Sequence, residues 1–426
     1  MIYTNSLTFA QNLDRQDPLS NFRQEFYLPQ HEGKDLIYFN GNSLGLQPRK
    51  SRNYLEEEML QWERLGVEGH FEGRNPWFDY HKCCKKALAE IVGASESEVT
   101  PMNSLTVNLH LLWVSFYQPQ GRRNKILMEA QAFPSDQYVA ESQAKFHGLD
   151  PEEVIVEIYP RPGEYTIQTE DILAKIDELG DELALVFLGG VNYYTGQFFE
   201  LSRIAEAGHK VGAFVGFDLA HTVGNLPLAL HNWQADFAAW CSYKYLNSGP
   251  GGIAGIFVHK KHLLRQDLPR FNGWWGYEEQ TRFQMRKGFI PEPSVDAWQL
   301  SNVPIMLLAG HRAALDIFAE AGMHRLREKS VQLTGYLEYV IQEISLHTNF
   351  PMQIITPTDP EQRGCQLSLI IPNRGRDIFE FLQKAGIRLD WREPDVMRLA
   401  PAPLYNTFEE VYRLGERLEE GIRNYC

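Results

Sequence analysis

The chain has 426 residues, 43% of them hydrophobic, and its 41 basic against 55 acidic side chains give a net charge of −14. That length predicts one large packed unit and a smaller one, and the acidic balance excludes a surface built to neutralise phosphates, so no nucleic-acid partner is expected. The longest apolar run, 183–191, falls well short of the roughly 20 residues that cross a membrane, so no membrane association is expected either.

In chain order, a strongly apolar helix opens just after Met102-Asn103-Ser104 and runs to Tyr117. Beyond it, short apolar runs alternate with amphipathic stretches. Strands are expected over 125–130, 154–159, 183–188, 214–219, 237–241 and 253–259. Helices are expected over 135–147, 169–179 and 200–210, with Thr169 as an N-cap. The run 183–188 (LALVFL) is apolar throughout, as are parallel strands covered on both faces. Alternating strands and helices predict right-handed crossovers, a mainly parallel sheet, and ligand contacts at the carboxyl ends of its strands. After an irregular stretch at 291–304, one long helix is expected over 305–345. A strand at 366–371, a helix at 377–385, a strand at 396–399 and a closing helix at 408–424 predict a smaller α+β unit.

The residues that suggest chemistry fall at strand ends. Lys244 follows the 237–241 strand directly and precedes the glycine-rich turn Asn247-Ser-Gly-Pro-Gly-Gly252. An amine there, withdrawn from water, is suited to forming a Schiff base. Asp218 ends an earlier strand, and His221 follows it by three residues. A strand-end carboxylate can keep a pyridine nitrogen protonated, which points to pyridoxal 5′-phosphate. The first turn of the apolar helix, with Leu105 and Thr106, offers backbone N–H groups to a phosphate. Phe133-Pro134-Ser135-Asp136 follows the 125–130 strand, where an aromatic ring can stack on a cofactor. Each residue also has a plainer reading. Lys244 can be a loop lysine, Asp218 a cap, His221 a packing residue, Asn103 or Ser104 simple helix capping, and 133–136 a turn with an N-cap. Gly249-Pro-Gly-Gly-Ile-Ala254 fits a dinucleotide-binding string, but it leads into a strand instead of opening a helix. The five cysteines, Cys83, Cys84, Cys241, Cys365 and Cys426, are scattered without metal-ligand spacing. Free thiols and no metal are expected. No basic segment leads an apolar core at the N-terminus, so the cytoplasm is the expected location.

Taken in order, a set of strings resembles the kynureninase family along nearly the whole chain: FNGNSLGLQP (39–48), MNSLTVNLHLL (102–112), AFPSDQY (132–138), YTGQ (194–197), VGFDLAHTVGN (215–225), WCSYKYLNSGPGGIAG (240–255), GWWG (273–276), SNVP (301–304), RGCQLS (363–368) and MRLAPAPLYN (397–406). The resemblance implies an α/β fold of the type I pyridoxal-phosphate transferase class. Its large domain would carry a mainly parallel seven-stranded sheet, beside a smaller α+β C-terminal domain. The implied divisions are 1–70 packing on the small domain, 71–304 binding the cofactor, and 305–426. The implied reaction is hydrolysis of the Cβ–Cγ bond of kynurenine or 3-hydroxykynurenine, releasing alanine.

By the same resemblance, Lys244 carries the cofactor and later acts as base, and Asp218 meets the pyridine nitrogen with His221 beside it. Leu105, Thr106 and Tyr243 meet the phosphate. Phe133, with Pro134, Ser135 and Asp136, lines the ring. Trp274 and Asn302 come from a second copy, making a homodimer with shared sites. Arg398 clamps the substrate carboxylate, a task suited to a guanidinium fork, and His70 with Asn302 reads a 3-hydroxyl group. Tyr243, next to Lys244, is the expected proton shuttle. Relatives can carry a hydroxyl residue where this chain has Gly189, so Gly189 is left out of the site. The competing reading is another enzyme of the same cofactor and fold, a cysteine desulfurase or an aminotransferase. A desulfurase needs a mobile nucleophilic cysteine, and Cys365 leads into an expected strand. A non-catalytic cofactor-binding scaffold is expected to have lost Lys244 or its partners.

Overall fold

The computed structural model describes residues 2–425. Its main sheet has seven strands: β1 (Val99–Pro101), β2 (Lys125–Glu129), β3 (Ile155–Ile158), β4 (Leu183–Gly189), β5 (Phe214–Asp218), β6 (Phe237–Trp240) and β7 (Gly255–Val258). Their order is β1-β7-β6-β5-β4-β2-β3. The run from β6 to β3 is parallel, and β7 is antiparallel to both its neighbours. Alternate side chains of the inner strands feed two different cores. Leu127, Val186, Leu188, Val215, Phe217, Ala238 and Trp240 join one. Ile126, Met128, Leu185, Phe187, Phe237 and Ala239 join the other. This two-residue alternation, with both faces apolar, is why the strands read as continuous hydrophobic runs.

A second sheet of four strands, β8 (Gln353–Ile354), β9 (Leu367–Ile370), β10 (Asp390–Arg392) and β11 (Val396–Leu399), is antiparallel in the order β8-β9-β11-β10. Leu367, Leu369, Met397 and Leu399 pack beneath two long helices that supply Leu337, Val340, Leu414 and Leu418. Ala10, Leu13 and Phe39 from the N-terminal stretch join this core, whereas Leu19, Phe22 and Phe26 join the first core of the main sheet.

Two expectations about helices are corrected. The predicted helix over 305–345 is two helices, Ile305–Ala321 and Met323–Thr348. Gly322 between them sits at φ +76°, outside the helical region, and its N–H closes the first helix on the Phe318 carbonyl at 2.8 Å. Thr169 is the first helical residue and not the N-cap. The cap is Gln168, whose carbonyl already accepts from Ile172. No described helix is long and apolar enough to cross a membrane.

Candidate active site

The site is assembled where parallel strands end. β5 closes on Asp218, in register with Gly189 of β4 and Ala239 of β6. Asp218 is 7% exposed, and its Oδ1 accepts from the Ala220 N–H at 2.7 Å. β6 closes on Trp240 and the chain turns through Cys241-Ser-Tyr243-Lys244. The turn is tied by Asn247 N–H to the Lys244 carbonyl and Ser248 N–H to the Ser242 carbonyl, each 3.0 Å. The 39–48 segment is fastened onto it. Gly45 donates to the Tyr243 carbonyl at 2.8 Å, and a Cβ at residue 45 would sit 2.3 Å from the Lys244 carbonyl oxygen. Only glycine allows that approach. β2 closes on Glu129. A short turn then places Phe133 at the N-cap of the helix Pro134–Phe146, with buried Asp136 in its first turn.

These pieces enclose a cavity of about 320 Å³. Lys244, Tyr243, Asp218, His221, Phe133, Ser135, Asp136, Leu105 and Thr106 all line it. Lys244 Nζ lies 3.0 Å from His221 Nε2 and 5.8 Å from the centre of the Phe133 ring. Burial holds the His221 imidazole well below its ordinary range, and the nearby charges of Lys244, Arg398 and Arg392 push the same way. The neutral ring therefore accepts from Lys244 at Nε2 and carries its proton on Nδ1, a buried atom without a protein partner.

Burial pushes Asp136 well above the carboxylate range, and the adjacent Asp218 charge adds to that. Burial raises Asp218 too, but the Ala220 N–H, Asp136 and Lys244 oppose it. Asp136 thus keeps the proton and Asp218 the charge. Burial likewise pushes the Tyr243 hydroxyl up. At the opposite wall the helix Leu105–Phe116 begins. Ser104 stands at its N-cap but makes no side-chain capping bond, so simple capping does not account for this end. Leu105 and Thr106 of its first turn, whose N–H groups have no partner within the helix, line the cavity.

Five expected residues lie outside this lining. Pro134 is exposed in the first turn of its helix. Arg398 is fully buried, ion-paired with Asp390 and donating to the Tyr193 carbonyl at 2.8 Å, with its Nε unpartnered. His70 packs edge-on against Trp77 at 5.4 Å. Trp274 is 47% exposed against Phe283, and Asn302 is exposed.

The cavity also holds residues not foreseen, among them Asn42, Ser43, Glu129, Tyr193 and Arg392, and Gly189, left out of the expected site, lines it as well. Asn42 and Ser43 stand in the 39–48 string, and Glu129 ends a strand, so both carried a usable signal. Arg392 carried none. Cys365 is fully buried with Sγ 3.0 Å from Asn225 Oδ1, and burial pushes its thiol up to about 12, which is unsuited to a mobile nucleophile.

Pyridoxal phosphate fits this donor set. One wall offers an amine and a charged carboxylate, the other an uncapped helix start, and the lining residues His221 and Glu129 each keep a buried polar atom, Nδ1 and Oε2, without a protein partner. The family model for the kynureninase C-terminal domain matches residues 326–418. A kynureninase of Flavobacterium psychrophilum is 55% identical over 422 residues, covering 99% of each chain. One from Myxococcus xanthus is 52% identical, again over 99% of each. Among solved structures, an apo cysteine desulfurase from Thermococcus onnurineus superposes with a TM-score of 0.76 at 18% identity, covering 97% of this chain and 98% of that one. A cystine C–S lyase mutant with glycine covalently linked to its pyridoxal-phosphate cofactor gives 0.74 at 19%, covering 90% and 96%. At those identities the two structures share the fold.

Proposed function

This chain belongs to the kynureninase family, and on that premise we propose that it hydrolyses the Cβ–Cγ bond of L-kynurenine or 3-hydroxy-L-kynurenine, giving anthranilate or 3-hydroxyanthranilate and L-alanine. The observation that carries the reading is Lys244 Nζ, 3.0 Å from a neutral His221 in a cavity floored by the buried Asp218.

The cofactor, pyridoxal 5′-phosphate, supplies an electron sink for charge developing on the substrate. Lys244 would hold it covalently, and its amine is the base placed to take the substrate α-proton. Asp218 turns its charge to the ring nitrogen, and Asp136 keeps its own proton and directs it at Asp218. His221 accepts from Lys244 Nζ and so fixes where the amine stands. Leu105 and Thr106 bind the phosphate through their N–H groups, and Phe133 covers the ring. Tyr243 retains its proton near neutrality because burial raises its hydroxyl, and it passes that proton between substrate atoms and Lys244. Arg398, paired with Asp390 behind the cavity, takes the substrate carboxylate in this reading, and Arg392 stands in the cavity wall.

The active form is a homodimer in this reading. Trp274, Phe283 and Phe71 form an exposed aromatic patch, with ring separations of 5.5 and 6.1 Å, suited to covering by a second copy. Trp274 and Asn302 then complete the partner's site, and His70 with Asn302 favours the 3-hydroxylated substrate. The four described cysteines are free thiols, which supports a cytoplasmic location.

The test is a chromatographic assay of the cofactor-loaded protein with both substrates, following aromatic product and alanine together. Equimolar products establish the reaction, with the higher kcat/KM expected on 3-hydroxykynurenine. Loaded protein that forms neither product refutes it.

A further inference from the structure

One buried carboxyl in the cavity has no part in this mechanism. Glu129 is 3% exposed at the end of β2, and its Oε2 is buried without a hydrogen-bond partner. Its Oε1 lies 3.1 Å from the point where a Cβ at residue 189 would stand, so the carboxyl rests against the bare backbone of Gly189. Gly189 is the register partner of Asp218. Gly189 therefore stands between Glu129 at the end of one neighbouring strand and Asp218 at the end of the other. Glu129, Asp136 and Asp218 share the lining with one ammonium, Lys244, the imidazole of His221 and the guanidinium of Arg392. Three carboxyls in so dry a space do not all ionise. Burial pushes Glu129 up to about 8, the Asn192 side chain opposing and the Asp218 charge adding.

We propose that Glu129 is a positioning residue whose neutral carboxyl, seated over Gly189, leaves Asp218 as the only negative charge offered to the cofactor's ring nitrogen. The proposal rests on the reading that Lys244 and Asp218 hold pyridoxal phosphate. Ionising Glu129 adds a second negative charge beside Asp218 and strengthens the ring nitrogen's hold on its proton.

Thermal unfolding of the cofactor-free full-length protein tests the protonation without relying on the cofactor reading. A carboxyl raised in the folded state stabilises fully below its unfolded value, about 4.5, and that contribution is lost as pH rises to about 8. Wild type should therefore lose Tm relative to Glu129→Gln between those limits, and the gap should level off above them. Parallel curves overturn the proposal. In the loaded protein, the absorption of the bound cofactor should show an inflection near pH 8 that Glu129→Gln abolishes while keeping full cofactor content. Persistence of the inflection in Glu129→Gln overturns it. Loss of the cofactor band in wild type would instead count against the assignment of Lys244, and the unfolding result would stand. If Glu129→Gln does not fold, the infrared carbonyl stretch of protonated carboxyls in wild type should lose amplitude between about pH 7 and about pH 9. Constant amplitude overturns the proposal.

Discussion

Lys244 Nζ and His221 Nε2 stand 3.0 Å apart, the amine donating to an imidazole that burial keeps neutral. The two residues come from the ends of neighbouring strands, β6 and β5, so the sheet register sets their separation. A neutral partner accepts the amine's hydrogen bond without adding a countercharge beside it.

Lys244→Ala should abolish the absorption band of covalently held cofactor and all alanine release. An unchanged spectrum would place the cofactor on another lysine.

Tyr243→Phe should keep that band and lower kcat by about 10²–10⁴, the usual contribution of a group that moves a proton. Tyr243 lines the cavity and burial makes its hydroxyl hold its proton, so the loss is expected in turnover and not in cofactor binding. A near-normal kcat would remove Tyr243 from the proton path.

The two guanidiniums beside Asp390 should separate experimentally. Arg398 is fully buried, so Arg398→Ala empties a packed site and leaves Asp390 only the more exposed Arg392, and it should cost about 3–5 kcal/mol of stability as well as raising KM. The Arg392 side chain is 36% exposed, and Arg392→Ala should raise KM with little change in Tm. Denaturant titration alongside steady-state kinetics checks both. Equal losses of stability would contradict the difference in burial.

Far from the cavity, Asp236 stands just before β6 and ties β5 to the helices Leu201–Lys210 and Lys260–Leu263. It accepts from the Val215 N–H at 2.7 Å and meets His209, Lys261 and His262 at 2.9, 2.7 and 2.7 Å. Burial alone would raise its carboxyl, but hydrogen bonds from His209 and His262 and the Lys261 charge hold it well below the usual range. Its contribution is then present above the unfolded value, about 3.8, and lost as pH falls through the depressed folded one. Asp236→Asn should cost about 3–5 kcal/mol at neutral pH, as expected when a buried charged network loses one member. It should also flatten the acid limb of a Tm-against-pH curve. An unchanged acid limb would show that the network contributes nothing to acid stability.

Six of the main sheet's strands and most helices were legible because hydrophobic periodicity is local, whereas the short β1, β8 and β10 offer too few residues for a period to show. LALVFL at 183–188 is apolar on both faces because β4 is covered on both, and that pattern needs no knowledge of the rest of the chain. Lys244, Asp218 and Asp136 were legible for a related reason, since each follows or ends a recognisable strand. Gly322 was not, because a single glycine inside a helical pattern declares its φ only when the flanking helices dock on different partners.

What the amino-acid order determined by itself was therefore six of the main sheet's seven strands, the strand-end positions of Lys244 and Asp218, and the family to which its strings point. The tertiary structure decided which distant groups share one cavity. It brought Asn42 and Ser43 against the lysine turn, laid Glu129 over Gly189, put Arg392 in the wall and withdrew Arg398 into a pair with Asp390. Those choices depend on strand register and on how closely two backbones approach, quantities that exist only between segments far apart in the chain.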